Sequence, residues 1–152
     1  MNRLLLLLVA GPLAAQGQIV ADSGLMRHLE RIADTATVET ARCLAGETQG
    51  DTIFVVGALE TPWLMGPQTD STVMFAWWNC PRTTVAVWHN HIASWALKRY
   101  PFAPRCYLGG ADVTILQTRQ SPPIAIVSVR TGLSCVFIRM ASGYVGAVRM
   151  NR

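Results

Sequence analysis

The sequence has few charged residues and no region in which charge of one sign is concentrated. Of its 152 residues, 14% are charged and 51% are hydrophobic. This composition favours a folded chain with a buried core over a disordered one. The net charge of +4 comes from basic residues scattered along the chain, whereas a nucleic-acid groove requires clustered basic side chains with interleaved aromatics. We therefore expect no nucleic-acid partner.

No apolar run is long enough to cross a membrane. A span needs about 20 apolar residues, and the N-terminal run over residues 4–10 is much shorter, so we expect no stable membrane anchor. That run follows Arg3 and precedes small residues at the −3 and −1 positions of a cleavage site before Gln18, which is typical of a secretory signal. We predict a signal peptide over residues 1–17, export to the periplasm or the medium, and one mature domain over residues 18–152.

The chain has only four cysteines, and none belongs to a Cys-x-x-Cys pair. A structural zinc site built from four cysteines is therefore disfavoured. In an exported chain an even number of cysteines favours disulfides, so we expect one or two, with three full pairings open. The alternative is four small buried hydrophobic side chains. These residues are Cys43, Cys80, Cys106 and Cys135.

Histidine is equally scarce. Two of the three histidines, His89 and His91, end an apolar stretch over residues 83–91 that we predict to be a buried strand. Residues two apart on a strand share a face, and two imidazoles placed side by side can bind one metal ion. The alternative is a strand end whose histidines meet solvent. His28 falls on the polar side of a predicted helix, and we expect it to be exposed to solvent.

Hydrophobic periodicity predicts the remaining elements. A helix of about four turns follows the N-cap pair Asp22-Ser23. Strands over residues 38–45, closed by Gly46, and 53–59 form a hairpin around a turn at Gln49-Gly50-Asp51. The other predictions are strands over residues 72–78 and 83–91, a long connection over 92–108, a short helix over 111–117, and strands over 124–130, 135–140 and 144–150. This order predicts an α/β domain with a mixed sheet wrapped by the first helix.

Two acidic residues complete a hydrolytic site in this interpretation. A zinc hydrolase needs three protein ligands, an open position for water and a general base. Asp112 is the predicted third ligand, because a carboxylate at the start of the short helix can fold back to the strand end. Glu39 is the predicted base, since it is a carboxylate in an otherwise apolar strand context.

Taken together, these motifs resemble the JAB/MPN family of metallopeptidases, whose JAMM signature is a glutamate, then His-x-His, then Ser-x-x-Asp. The sequence that begins at Glu39, ETARCLAG, resembles the glutamate strand; WHNH, ending at His91, resembles the His-x-His strand; and LGGAD, ending at Asp112, resembles the last motif. The resemblance extends over residues 38–129. It implies a JAB/MPN-like, cytidine-deaminase-like α/β fold with a mixed β-sheet flanked by helices.

The resemblance also implies roles for these residues. His89, His91 and Asp112 would bind Zn²⁺, and Glu39 would take a proton from a water molecule and pass it to the leaving amine. The protein would then be a zinc metallopeptidase or isopeptidase that hydrolyses an amide bond in a peptide or protein substrate.

Two departures from the family pattern lead to an alternative. Gly109 stands where the family has a serine, whose hydroxyl helps to stabilise the oxyanion; loss of one such donor costs about 10²–10³ in rate. The backbone N–H near Gly110 or the hydroxyl of Ser94 are two substitutes. In addition, 17 residues separate His91 from Gly109, more than is usual in the family. The alternative function is a catalytically weak or inactive binding module on the same fold.

A nuclease or a deaminase is the remaining alternative. The letters His-Asn-His at residues 89–91 invite comparison with HNH nucleases, but three contiguous residues do not define that class. Zinc deaminases need His-x-Glu together with Pro-Cys-x-x-Cys, and the sequence contains no Pro-Cys-x-x-Cys. Both interpretations are therefore disfavoured.

Overall fold

The structure, a computed structural model, describes residues 18–37, 39–59, 80–91, 108–118, 122–129, 133–143, 145–148 and 150–151. Two helices lie within these residues, α1 (Ser23–Thr35) and α2 (Gly110–Gln117). The strands are β1 (Gln18–Ala21), β2 (Ala41–Gln49), β3 (Thr52–Leu59), β4 (Thr84–His91), β5 (Ile124–Val129), β6 (Leu133–Arg139), β7 (Val145–Val148) and β8 (Met150–Asn151).

These strands form one mixed sheet in the order β7-β6-β5-β4-β2-β3-β1-β8. The central strand β4 pairs with β2 in antiparallel and with β5 in parallel orientation. Its last six residues are buried, as expected of a strand covered on both faces. The predicted α/β class, with a mixed sheet flanked by helices, is confirmed.

Helix α1 covers one face of the sheet. It begins where predicted, because the Asp22 carboxylate accepts a hydrogen bond of 2.7 Å from the Leu25 amide and so caps the helix. Met26 and Leu29 are fully buried and pack in the same core as Trp88 of β4. His28 is exposed, as predicted. This core anchors β4 from the side opposite to its histidines.

Helix α2 packs on the other face of the sheet. Leu116 of α2 belongs to a second core with Cys43 of β2, Val87 of β4 and Ala125 of β5. Cys43 forms a disulfide with Cys80, and Cys135 is also disulfide-bonded. The expected presence of disulfides is confirmed, and one of the pairings that the sequence left open is now assigned.

The predicted bounds of β2 are wrong at both ends. The strand begins at Ala41, so that Glu39 precedes it, and it continues past Gly46 to Gln49. Gly46 does not end the strand; it lies at a register shift, where a Cβ atom would stand 1.9 Å from the carbonyl oxygen of Phe54. Glycine permits this close approach of two backbones.

Other differences concern short strands and residues outside the described ranges. The hairpin of β2 and β3 is confirmed, with Gly50 at φ +57° in its turn. Strand β1 was not predicted, and described residues of the predicted strand over 144–150 belong to β7 and β8. The predicted signal peptide, the predicted strand over residues 72–78, and residues 92–107 of the predicted connection over 92–108 lie outside the described residues. In the part of the chain that is described, no helix has the length and apolarity of a membrane span.

Candidate metal centre

Two histidine side chains meet at the end of β4. The Nε2 atoms of His89 and His91 are 3.0 Å apart, and the two ring centroids are separated by 4.8 Å with the planes inclined at 56°. Each residue is 7% exposed. Opposite His89 on β2 stands the small residue Ala41. The two imidazoles therefore lie side by side on one face of the sheet, as predicted, and both are buried from solvent.

Helix α2 brings a carboxylate to the same point. The backbone amide of Gly109, the N-cap residue, donates a hydrogen bond of 2.8 Å to Oδ2 of Asp112. This bond holds the carboxylate over the N-terminus of the helix, where the helix dipole favours negative charge. Leu116, one turn further, is buried in the core beneath α2. The packing of the helix thus fixes the direction from which Asp112 approaches the histidines.

The three side chains form a compact set of donor atoms. Oδ2 of Asp112 lies 3.5 Å from Nε2 of His89 and 3.6 Å from Nε2 of His91. Ligand atoms that bind zinc tetrahedrally at about 2.0–2.1 Å are separated from one another by about 3.3 Å. The three observed separations, 3.0, 3.5 and 3.6 Å, match that spacing. His89, His91 and Asp112 therefore form a group that could bind one metal ion.

The site is closed on one side and open on the other. The side chains of both histidines are 9% exposed, whereas that of Asp112 is 23% exposed. Solvent therefore reaches the group from the side of the carboxylate. A catalytic metal needs a coordination position that water can reach, in contrast to a closed structural site, and the exposed carboxylate side is where solvent has access to this group.

The electrostatics of the site keep the carboxylate ionised. Burial alone would raise the pKa of Asp112, but hydrogen bonds with His89 and His91, the charge of His89 and the amide of Gly109 together lower that pKa below its ordinary value. A carboxylate must be ionised to bind a metal ion. Asp112 is therefore in the ligand form at neutral pH.

Glu39 is not one of the three converging groups. It is half-buried and lies two residues before Ala41, the residue paired with His89. The residue between them, Thr40, is hydrogen-bonded to Asn90 of β4, so the backbone of Glu39 lies next to the strand that carries the histidines. This placement is compatible with the predicted role of general base, which remains a prediction.

The space around Gly109 is relevant because this glycine stands where the JAMM signature has a serine. A Cβ atom at Gly109 would stand 3.1 Å from Oδ2 of Asp112, whereas a Cβ atom at Gly110 would meet nothing within 4 Å. A serine at the first position would therefore press on the Asp112 carboxylate. Ser94, the other predicted substitute donor, lies outside the described residues.

One residue of the site was not identified from the sequence. Asn90, between the two histidines, is fully buried, and its side-chain Oδ1 accepts a hydrogen bond from the backbone amide of Thr40. The only signal in the sequence was a carboxamide in an apolar strand. Such a group requires a hydrogen-bond partner when it is buried, but the sequence does not say which.

Comparisons with known proteins show the fold. No protein-family model matches the chain, and a search of curated proteins also finds no match. Among solved structures, protein DSY2949 from Desulfitobacterium hafniense is similar, with a TM-score of 0.57, 14% identity and coverage of 88% of this chain and 91% of that chain. A JAB1/MPN domain protein from Archaeoglobus fulgidus, AF2198, has a TM-score of 0.49 at 14% identity, covering 89% of this chain and 99% of that chain.

The mixed α/β fold expected from the sequence is confirmed, and DSY2949 shares this fold over most of the chain. Strand β4 and helix α2 bring His89, His91 and Asp112 together on one face of the sheet. At 14% identity neither neighbour carries information on activity.

Proposed function

We propose that the chain is an exported, zinc-dependent hydrolase of peptide or isopeptide bonds. The observation that supports this most directly is the convergence of His89, His91 and Asp112 within 3.0–3.6 Å. Two imidazoles and one carboxylate are donors suited to zinc, and three protein ligands leave a position open for catalysis.

In this proposal, three residues bind the metal and a fourth is the general base. His89 and His91, as neutral imidazoles, and Asp112, as a carboxylate, would hold a zinc ion. The ion, when bound, supplies Lewis-acid chemistry and lowers the pKa of water towards about 7. Glu39 takes the proton from the attacking water and delivers it to the leaving amine. Because Glu39 is half-buried and lies two residues before the strand partner of His89, it can be close to the site and still exchange protons with solvent.

Export is part of the proposal. The N-terminal 17 residues have the composition of a secretory signal. The disulfide between Cys43 and Cys80, together with the disulfide-bonded Cys135, supports an oxidising compartment, since such bonds persist outside the cytosol. The proposed substrate is therefore a peptide or protein of the cell envelope or the medium.

The experiment that tests the proposal is the substitution Glu39→Gln in zinc-loaded mature protein. Cleavage of a proteome-derived peptide library, read by mass spectrometry, should fall by about 10²–10⁴-fold, the usual contribution of a general base. Zinc content should stay at the wild-type level. The matched control is Glu47→Gln, which neutralises an exposed carboxylate at the tip of β2 that is bonded to Gln49, and it should keep full activity. Full activity of Glu39→Gln would contradict the mechanism.

A second function is favoured by one observation. Gly109 occupies the position of the motif serine, and its surroundings leave little room for a side chain beside Asp112. A site that retains the metal but lacks the hydroxyl fits a binding module that captures a peptide without cleaving it. Zinc binding together with library peptides that are retained uncleaved would favour this function.

A further inference from the structure

The backbone at Thr40 is attached to β4 by an unusual pair of hydrogen bonds. The amide of Asn90 donates a bond of 3.2 Å to the carbonyl of Thr40. In a regular antiparallel ladder the return bond would run from the amide of Thr40 to the carbonyl of Asn90. Here the Thr40 amide donates instead to Oδ1 of the Asn90 side chain. The side chain thus takes the place of the main chain at the last pairing of β2 with β4.

Asn90 is itself enclosed within the sheet. It is fully buried, and in the parallel pairing of β4 with β5 its register partner is Ser128. Its side chain leaves the backbone on the face opposite to the two histidines, because neighbouring residues on a strand alternate in direction. Asn90 therefore lies between the two predicted metal ligands in sequence, while its side chain contacts Thr40.

Thr40 is the residue that follows Glu39. Consecutive Cα atoms are about 3.8 Å apart, so a bond that fixes the Thr40 amide also restricts where the Glu39 side chain can begin. Glu39 precedes the first residue of β2. The two hydrogen bonds between Asn90 and Thr40 therefore connect β4 to the residue that directly follows Glu39.

We infer that Asn90 is a positioning residue, which fixes Glu39 relative to the metal centre through Thr40. This inference rests on the proposed function, in which Glu39 is the general base. Asn90 is the middle residue of the His-x-His motif. The same segment of β4 would then carry the two histidine ligands and the Asn90 carboxamide that orients the general base. A base must be held within hydrogen-bond reach of its proton, and small displacements of catalytic groups are costly.

Two NMR measurements on the mature protein test the inference. In Asn90→Ala, amide hydrogen exchange at Thr40 should accelerate by about tenfold, as expected for the loss of one hydrogen bond. In the cobalt-loaded protein the pseudocontact shift of the Glu39 amide should change, while cobalt stoichiometry stays the same. The conservative variant Asn90→Asp retains an acceptor oxygen and should restore the slow exchange at Thr40. Glu47→Gln alters only an exposed carboxylate at the tip of β2 and should change neither readout.

The outcomes separate the two proposals. Unchanged Thr40 exchange and an unchanged Glu39 shift in Asn90→Ala would overturn the positioning role. Loss of cobalt in that variant would also overturn it, because Asn90 would then position the histidines. Wild-type protein that binds no cobalt would contradict the proposed function, and exchange at Thr40 would still decide whether Asn90 holds this segment. Where cleavage is detected, Asn90→Ala should lower kcat with KM unchanged, and it should add no further loss in a Glu39→Gln background.

Discussion

The Nε2 atoms of His89 and His91 face each other across 3.0 Å at the buried end of β4. In the absence of a metal, one Nε2 atom must carry a hydrogen and donate while the other accepts through its lone pair. A metal ion between them accepts both lone pairs and is also attracted by the Asp112 carboxylate. These two nitrogen atoms and the Asp112 carboxylate therefore form a group that could bind one metal ion.

The first prediction is that the mature protein binds about one zinc ion per chain, as three ligands with an open position imply. Elemental mass spectrometry of the purified protein should detect this zinc and its loss from His91→Ala. Zinc should also raise the free energy of unfolding of the wild type by about 2.7 kcal/mol at a free concentration one hundred times Kd.

The control for this experiment is His28→Ala, which removes the exposed histidine of α1 and should leave zinc content unchanged. Wild-type protein without bound metal, after zinc has been supplied and the excess removed, would contradict the assignment of the site. Equal zinc loss from both variants would show that the metal is bound elsewhere.

The second prediction concerns the missing serine. Gly109→Ser restores a hydroxyl at the motif position, and an oxyanion donor is worth about 10²–10³ in rate. We expect faster peptide cleavage, accompanied by a small shift of Asp112, because the new Cβ atom would stand 3.1 Å from Oδ2. A crystal structure of the variant and its cleavage rate on the peptide library measure both effects.

Gly110→Ser is the matched control, since a Cβ atom there meets nothing within 4 Å. It should bind zinc and leave the cleavage rate unchanged. If Gly109→Ser retains zinc but no peptide cleavage is detected, the binding module is favoured over the hydrolase. An equal increase in cleavage rate in both variants would contradict a specific role for a hydroxyl at position 109.

Features that depend on nearby residues could be predicted from the sequence. The cap at Asp22 and the helical spacing that follows it define α1 within a few residues, because both are set inside one helical turn. The apolar run of β4 and the two-residue spacing of His89 and His91 are local in the same way. For this reason the sequence was sufficient to propose the metal group.

Features that depend on distant partners could not be predicted. The bonds between Asn90 and Thr40 connect residues 50 positions apart. Gly46 lies inside a strand, at a point where the backbone of Phe54 on the neighbouring strand approaches it closely. From the sequence alone, the same glycine was interpreted as the end of the strand. Strand β1 has four residues and pairs in parallel with β3, and so short a segment shows no clear period. In each case the deciding contact is made across the sheet.

The third prediction tests that interpretation of Gly46. Gly46→Ala would place Cβ 1.9 Å from the carbonyl oxygen of Phe54 and 2.6 Å from Cγ2 of Val85, so two strands would have to move. We expect a loss of about 1–3 kcal/mol or more in the free energy of unfolding, as is usual for overpacking. Gly57→Ala is the control in the same hairpin, because a Cβ atom there meets nothing within 4 Å. Urea unfolding measures both, and similar free energies for the two variants would contradict the close approach at Gly46.

The fourth prediction concerns a chain of hydrogen bonds that links the core to α1. Nε1 of the fully buried Trp88 donates to Oγ of Ser128 at 2.8 Å. The Ser128 and Ser134 hydroxyls are 2.7 Å apart, and Ser134 donates to Oε1 of Glu30 on α1 at 3.0 Å. Ser128→Ala removes the central member, and the buried indole N–H then lacks this acceptor. The cost of leaving such a group unsatisfied is about 1–3 kcal/mol.

The comparison for this last prediction is Thr114→Ala, which also removes a hydroxyl hydrogen bond, from Thr114 Oγ1 to the carbonyl of Gly110, but at an exposed position. Its effect should stay within about 0.5 kcal/mol, as for most surface substitutions. Urea unfolding at an unchanged m-value should lower the midpoint for Ser128→Ala alone. Because Trp88 precedes His89, a loosened indole should also broaden the NMR signals of the histidine rings. Equal midpoints for the two variants would show that the buried chain adds no more stability than one exposed bond.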